Sequence, residues 1–196
     1  MSDDVYTYPP DFLVLRNRLD IRDAALLSEI EREYTLFRMM DGVPKGAFDL
    51  RHLCLIHRHI FQDVYDWAGD IRTVEISKGN SHFQFRRFIE AGMDDIHRRL
   101  VERDFLKGLD IVAFATEAGS IMGDVNYVHP FRDGNGRTQL AYFRQLAEQA
   151  GYWFDPNHLE PDAWIAASVA AHHANYAPMG RCILEALTVA PADAGF

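Results

Sequence analysis

Nine consecutive residues, His129-Pro130-Phe131-Arg132-Asp133-Gly134-Asn135-Gly136-Arg137, bring together the groups that phosphate chemistry needs. His129 titrates near neutrality and can take a proton from an attacking hydroxyl. Asp133 is a carboxylate; beside phosphates a carboxylate makes sense with a cation between them, and Mg2+ is the usual one. Gly134 and Gly136 permit positive φ and close approach of a ligand to backbone N–H groups. Those groups open a predicted helix, where the dipole favours anions. Arg137 falls in the first turn, and its guanidinium can neutralise phosphate oxygens. Base, carboxylate, N–H nest and arginine form a kit for phosphate-group transfer. Singly, His129 or Asp133 would read as ordinary turn residues; contiguity carries the reading. Phe131 points the other way, as a core anchor.

The elements that must hold this loop are mostly helical. Leu27, Ile30, Tyr34 and Phe37 recur at helix spacing, as do Leu50, Leu53, His57 and Ile60, and then Ile89, Met93, Ile96 and Leu100. Ile111, Phe114, Ala115, Ala118, Met122 and Val125 make the longest stripe. Pro130 ends that helix and restricts His129 to extended backbone. The next helix starts near Asn135, carries Leu140, Phe143, Ala147 and Ala150 on one face, and stops at Gly151. Pro161 and Pro178 suit the first turns of two more. Asp70 to Ile76 alternates and is β-branched, Lys78-Gly79-Asn80-Ser81 is turn chemistry, and His82 to Phe85 alternates again. The reading is one all-α domain with a β-hairpin, about residues 71–85, between the second and third helices. A lone hairpin is marginal in water, so it packs on the domain or offers an edge to a partner. The ends, Met1–Pro10 and Val189–Phe196, are expected to fray.

The chain has 196 residues, enough for one sizeable core, and 48% of them are apolar. The net charge of -9 argues against nucleic acid as the main partner. The two cysteines, Cys54 and Cys182, sit in apolar surroundings and read as buried reduced thiols. Met1-Ser2-Asp3-Asp4 starts no secretory signal, and charges interrupt every apolar run before membrane-spanning length, so the expectation is a cytoplasmic protein off the membrane. His52, His57, His59, His172 and His173 show no recognised metal spacing and read as solvated or hydrogen-bonded. Trp67, Trp153 and Trp164 read as core or rim aromatics, and His82 with Asn175-Tyr176 as candidates for a nucleobase pocket.

The nine-residue string matches H-P-F-x-[DE]-G-N-[GK]-R at every specified position, and so resembles the signature of Fic-domain proteins. Trp67-Ala68-Gly69-Asp70-Ile71-Arg72-Thr73 through Phe83 resembles the segment leading into that family's flap, and Tyr8 to Leu19 its N-terminal lead-in. The likeness spans roughly residues 6–187 of a single Fic domain. It implies a protein adenylyltransferase that moves AMP from ATP onto a Ser, Thr or Tyr hydroxyl of a target protein. His129 would be the general base and Asp133 the Mg2+ ligand. Gly134, Asn135 and Gly136, the Asn135 side chain included, would cradle phosphates. Arg137 would help pyrophosphate leave, and Lys78 would join the nucleotide-binding set. The flap, with Glu75, Ile76, Ser77, Lys78, His82 and Phe83, would align the target by strand addition. Transfer of UMP, GMP or phosphate, and a weakened module acting by protein binding, stay open as alternatives. The phosphate-transferring branch has Ala-Asn-Lys where this chain has Gly134-Asn135-Gly136.

The signature often continues to a second arginine, which grips the γ-phosphate and pairs with an inhibitory glutamate. Leu140 stands there, on a helix face expected to be core. Arg144 lies two turns past Arg137, about 10 Å along the axis, and is a poor substitute. No inhibitory [ST]-x-x-x-E-[GN] pattern is found; Ser28-Glu29-Ile30-Glu31-Arg32-Glu33 comes nearest, with its glutamates misplaced. A chain without its own inhibitor resembles free-standing toxins restrained by a small separate antitoxin, whose implied targets are type II topoisomerase subunits.

Overall fold

In the computed structural model, residues 5–79 and 81–189 are described. Seven α-helices are found among them: α1 (Ala24–Met40), α2 (Leu50–Phe61), α3 (Ile89–Glu102), α4 (Ile111–Val128), α5 (Asn135–Gln149), α6 (Pro161–Ala171) and α7 (Ala177–Ala186). Aspartates start three of them. Asp23 accepts from the Leu26 N–H, Asp49 from His52, and Asp110 from both Val112 and Ala113. Each meets donors a first turn cannot satisfy internally, worth about 1 kcal/mol apiece.

Helix α4 runs through the middle of the core. Phe114, Ala118, Met122 and Val125 are among its buried side chains. Gly119 lets α7 lie against it, because a Cβ there would sit 2.6 Å from the Gly180 nitrogen. Helices α2 and α5 pack together on another side and carry Leu53, Ile60, Phe143 and Leu146 inward. The α1 face differs from its sequence pattern: Leu27 and Thr35 are buried, whereas Tyr34 and Phe37 are exposed.

The hairpin sits between α2 and α3 and is much shorter than its sequence suggests. Only β1 (Ser77–Lys78) and β2 (Ser81–His82) pair, antiparallel, with Ser77 opposite His82. Ile71 to Ile76 and Phe83 to Phe85 form no strand: after one more cross-hairpin bond, Phe83 N–H to the Ile76 carbonyl at 3.4 Å, the Gln84 and Arg72 N–H groups turn to the Tyr127 and Pro130 carbonyls instead. Asn80 lies outside the described residues. A second small sheet, unforeseen in the sequence, pairs β3 (Tyr152–Phe154) with β4 (Leu187–Val189).

Residues 5–10 contradict the expected fraying. Tyr6 and Thr7 are buried, Thr7 bridges to Leu15, and the Thr73 N–H donates to the Tyr6 hydroxyl at 3.0 Å. Residues 1–4 and 190–196 lie outside the described residues. Both cysteines are free and half-buried; burial pushes the Cys54 thiol up to about 11, which keeps it protonated and inert. Among the described residues, no helix is long and apolar enough to cross a membrane.

Candidate active site

The loop between α4 and α5 is braced from below. Phe131 is fully buried, which contributes about 1.5–3 kcal/mol. The Asn135 amide closes the turn over it: Oδ1 accepts the Phe131 N–H at 3.0 Å and Nδ2 donates to the Phe131 carbonyl at 2.8 Å. His57 reaches up from α2. Its Nε2 donates to the Asp133 carbonyl at 3.0 Å, and its Nδ1 accepts the Gly69 N–H at 2.8 Å. That pattern fixes a neutral ring, stacked on Phe131 with centroids 3.9 Å apart. Burial holds its pKa down to about 4.

His129 ends α4 in the left-handed conformation, φ 45° and ψ 63°. This overturns the extended backbone expected before Pro130. A helix-end bond and a long-range one outweigh the proline effect: His129 N–H donates to the Val125 carbonyl, and the His129 carbonyl accepts from Arg72 Nε at 2.9 Å. On the side chain, Nδ1 donates to the Asn126 carbonyl at 2.9 Å, which leaves Nε2 with the lone pair. Phe83, just beyond β2, stacks on the ring with centroids 3.7 Å apart. Burial, assisted by the positive charges of Arg72 and Lys78, brings the His129 pKa down to about 4, so the ring is neutral and ready to accept a proton at pH 7.

Gly134 caps α5 at φ 77°, and a Cβ there would lie 2.4 Å from the Phe61 ring, so both backbone and space demand glycine. At Gly136 a Cβ would meet nothing within 4 Å, so the space over the helix start is open. The first N–H groups of α5 face that space without helical partners. Arg137 lies over the Phe61 ring, 4.6 Å from its centroid, and is gripped by α1: it donates to Thr35 Oγ1 at 3.0 Å and to the Glu31 carboxylate.

A cavity of about 710 Å³ joins these groups. Its polar end holds His129, Asp133, Gly136 and Arg137; Ile76 to Gly79 and Phe83 of the flap form one wall. Trp164, Ile165 and Val169 of α6 form another part of the wall, joined to the flap by His172 just past the helix end, whose ring centroid is 5.4 Å from that of Phe83. A space with an anion-binding end and an apolar end suits a molecule with phosphates on one side and a flat ring on the other.

Comparison with known proteins agrees with this geometry. The Fic/DOC family profile matches residues 47–147, more than half of the chain. The chain belongs to the Fic/DOC family. It is 38% identical over 190 residues to the Bartonella schoenbuchensis "Protein adenylyltransferase VbhT", covering 95% of this chain but 40% of that relative's length. It is 37% identical to the Sinorhizobium fredii "Probable protein adenylyltransferase y4lH", covering 90% of this chain and 92% of that protein. Among solved structures, the N-terminal Fic domain of a Bartonella quintana VirB-translocated Bep effector protein, with bound ADP, superposes with a TM-score of 0.87 at 25% identity over 96% of each chain.

Within the Fic fold, the cavity gathers His129, Asp133, Gly134, Asn135, Gly136, Arg137, Lys78, Ile76, Ser77 and Phe83. Glu75 and His82 do not line it. Glu75 turns inward to Arg72 and the Arg86 N–H, and His82 is exposed on β2. The Asn135 amide is consumed by Phe131, so its part at the helix start falls to its backbone N–H. Asn175 and Tyr176 lie away from the cavity; the Tyr176 hydroxyl bonds Asp124 at 2.6 Å. Leu140 packs on the core and also lines a second cavity of about 530 Å³ beside Arg144 and Lys45. Sequence reasoning missed Arg72, Glu31, the bracing role of His57 and the α6 wall. Burial of a charged or polar residue in an alternating or helical run leaves no mark in composition.

Proposed function

We propose that this Fic-family chain is a protein adenylyltransferase that joins AMP from ATP to a Ser, Thr or Tyr hydroxyl of a target protein. The observation that carries it is the His129 tautomer. Asn126 holds the proton on Nδ1, so the Nε2 lone pair lies in one cavity with the start of α5 and Arg137. In the step, the target hydroxyl gives its proton to Nε2 while its oxygen bonds to the α-phosphorus. The bond from that phosphorus to the bridging oxygen breaks, and pyrophosphate leaves with the electron pair. Arg137 and the α5 N–H groups hold the growing charge. The names of the relatives and the ADP in the Bartonella quintana domain support a nucleotide donor.

Asp133 fits a Mg2+ ion that arrives with the nucleotide. It is an exposed carboxylate whose Oδ1 is turned to the Gly134 N–H at 2.6 Å, next to the helix start. Among the described residues, no group of three or more His, Cys, Asp or Glu side chains is placed to hold a metal unaided, and Mg2+ at nucleotide sites takes one or two carboxylates plus phosphate oxygens. When bound, the ion neutralises phosphate charge. Leu140 leaves the far end of the phosphate chain without an arginine from that position, so ATP and ADP should bind with similar affinity. A type II topoisomerase subunit is the first target to assay, and a small inhibitor protein would act by closing this cavity.

The test is incubation of the protein with labelled ATP, Mg2+ and cell lysate. One or a few proteins should acquire label, and His129→Ala should abolish it. Absence of label with every nucleotide tried would overturn the assignment.

A further inference from the structure

Arg72 stands between the flap and the catalytic loop. Its side chain is fully buried, and each of its five N–H bonds has an acceptor. Nε donates to the His129 carbonyl at 2.9 Å. One terminal nitrogen donates to the Val74 carbonyl at 2.8 Å and to Glu75 Oε2 at 3.3 Å. The other donates to the Gln84 carbonyl at 2.5 Å and the Val128 carbonyl at 3.4 Å. Its backbone N–H donates to Pro130 at 2.9 Å.

Two features make this more than a satisfied core charge. The carbonyls of Val128, His129 and Pro130, three in a row, all accept from this one residue. Such convergence fits the turn that puts His129 at φ 45°, a conformation that costs a non-glycine residue about 1–2 kcal/mol. The remaining acceptors belong to both legs of the flap, Val74 and Glu75 before β1 and Gln84 after β2. The Gln84 N–H adds a parallel tie to the Tyr127 carbonyl at 3.0 Å.

We infer that Arg72 is a positioning residue that locks the flap and the left-handed turn at His129 into one body, so that the surface receiving the target and the base move together. The inference rests on the reading of His129 as base. Lysine could not replace it, having three donors at one point instead of a planar fork of five. Arg72 touches His129 only at the carbonyl, and its charge also helps hold the ring neutral; Arg72→Lys keeps that charge, so its effect on rate reports the geometry.

Native-state hydrogen exchange on the unsubstituted chain gives the first test. Residues 74–86 and 127–132 should open with one common free energy, distinct from that of α2. Different opening free energies for the two segments would overturn the inference. Arg72→Lys and Arg72→Gln give the second. Exchange should rise about tenfold or more in both segments together, while α2 and α5 change less than about twofold. A uniform rise throughout the chain, or a rise in one segment alone, would reduce Arg72 to a folding role. In the AMP-transfer assay, Arg72→Lys should lower kcat by about a hundredfold with the KM for ATP nearly unchanged. A KM effect with intact kcat would overturn it. Failure of the unsubstituted chain to transfer AMP would overturn the role of His129, and the exchange results would still decide the coupling.

Discussion

Glu31 on α1 and Arg137 on α5, 106 residues apart, form an ion pair at the edge of the nucleotide cavity. The carboxylate is largely buried and also accepts from the Tyr65 hydroxyl. Burial and the Glu31 charge push the Tyr65 pKa up, so that hydroxyl stays a donor. Glu31 both orients the arginine and places a negative charge near where phosphates would bind. Glu31→Gln should therefore have opposite effects on two measurements. Stability in denaturant should fall by about 1–3 kcal/mol, and ADP affinity by calorimetry should rise several-fold, about 1 kcal/mol. A fall in both would assign Glu31 to orientation alone.

His57 should make the fold acid-sensitive. Its folded pKa, about 4, lies below the unfolded value of 6.5. The unfolded chain thus binds the proton more readily, and stability falls as pH drops from about 6.5 towards 4. The full shift corresponds to about 3 kcal/mol. Urea unfolding at a series of pH values should show this loss, and His57→Gln, which retains a donor for the Asp133 carbonyl, should remove about half of it, because His129, also held near 4, contributes over the same window.

Removal of Phe83 should uncover the base. Burial is the largest cause of the low His129 pKa, so Phe83→Ala should raise it towards 6.5. Histidine proton titration by NMR should show the shift, and the acid limb of kcat/KM should move up with it.

The two loop glycines should separate packing from ligand access. Gly134→Ala forces a side chain into Phe61 at positive φ and should cost about 2–4 kcal/mol of stability. Gly136→Ala meets no atom of the protein, so stability should change by less than about 0.5 kcal/mol. The open space there is where phosphates would lie, so nucleotide affinity should nevertheless fall in calorimetry.

The sequence displayed the helices and the loop because both rest on local rules. Apolar spacing, aspartate caps and the Gly134 turn act within a few residues, and α5 begins at Asn135 as its pattern indicates. The hairpin was overextended for an opposite reason. Alternation from Asp70 to Ile76 signals a strand only if a neighbouring strand takes the hydrogen bonds, and here Arg72 and the loop take them. His129 shows the same limit: the rule for a residue before proline is local, and long-range bonds from Arg72 override it. Glu31 has a helical neighbourhood like that of Glu29 and Glu33, and only the packing of α1 on α2 makes it the partner of Arg137.

Arg72 holds the flap almost wholly through main-chain oxygens, Val74 and Gln84 on the two legs, and every peptide unit carries such an oxygen. The grip is therefore indifferent to which side chains the hairpin displays. His82, exposed on β2 and outside the cavity, is free to drift or be exchanged without the active loop registering the change, whereas Lys78, whose charge is felt at His129, is not. Were the flap the surface that receives the target, as inferred above, retargeting would begin with the exposed side chains of the hairpin on a fixed chassis.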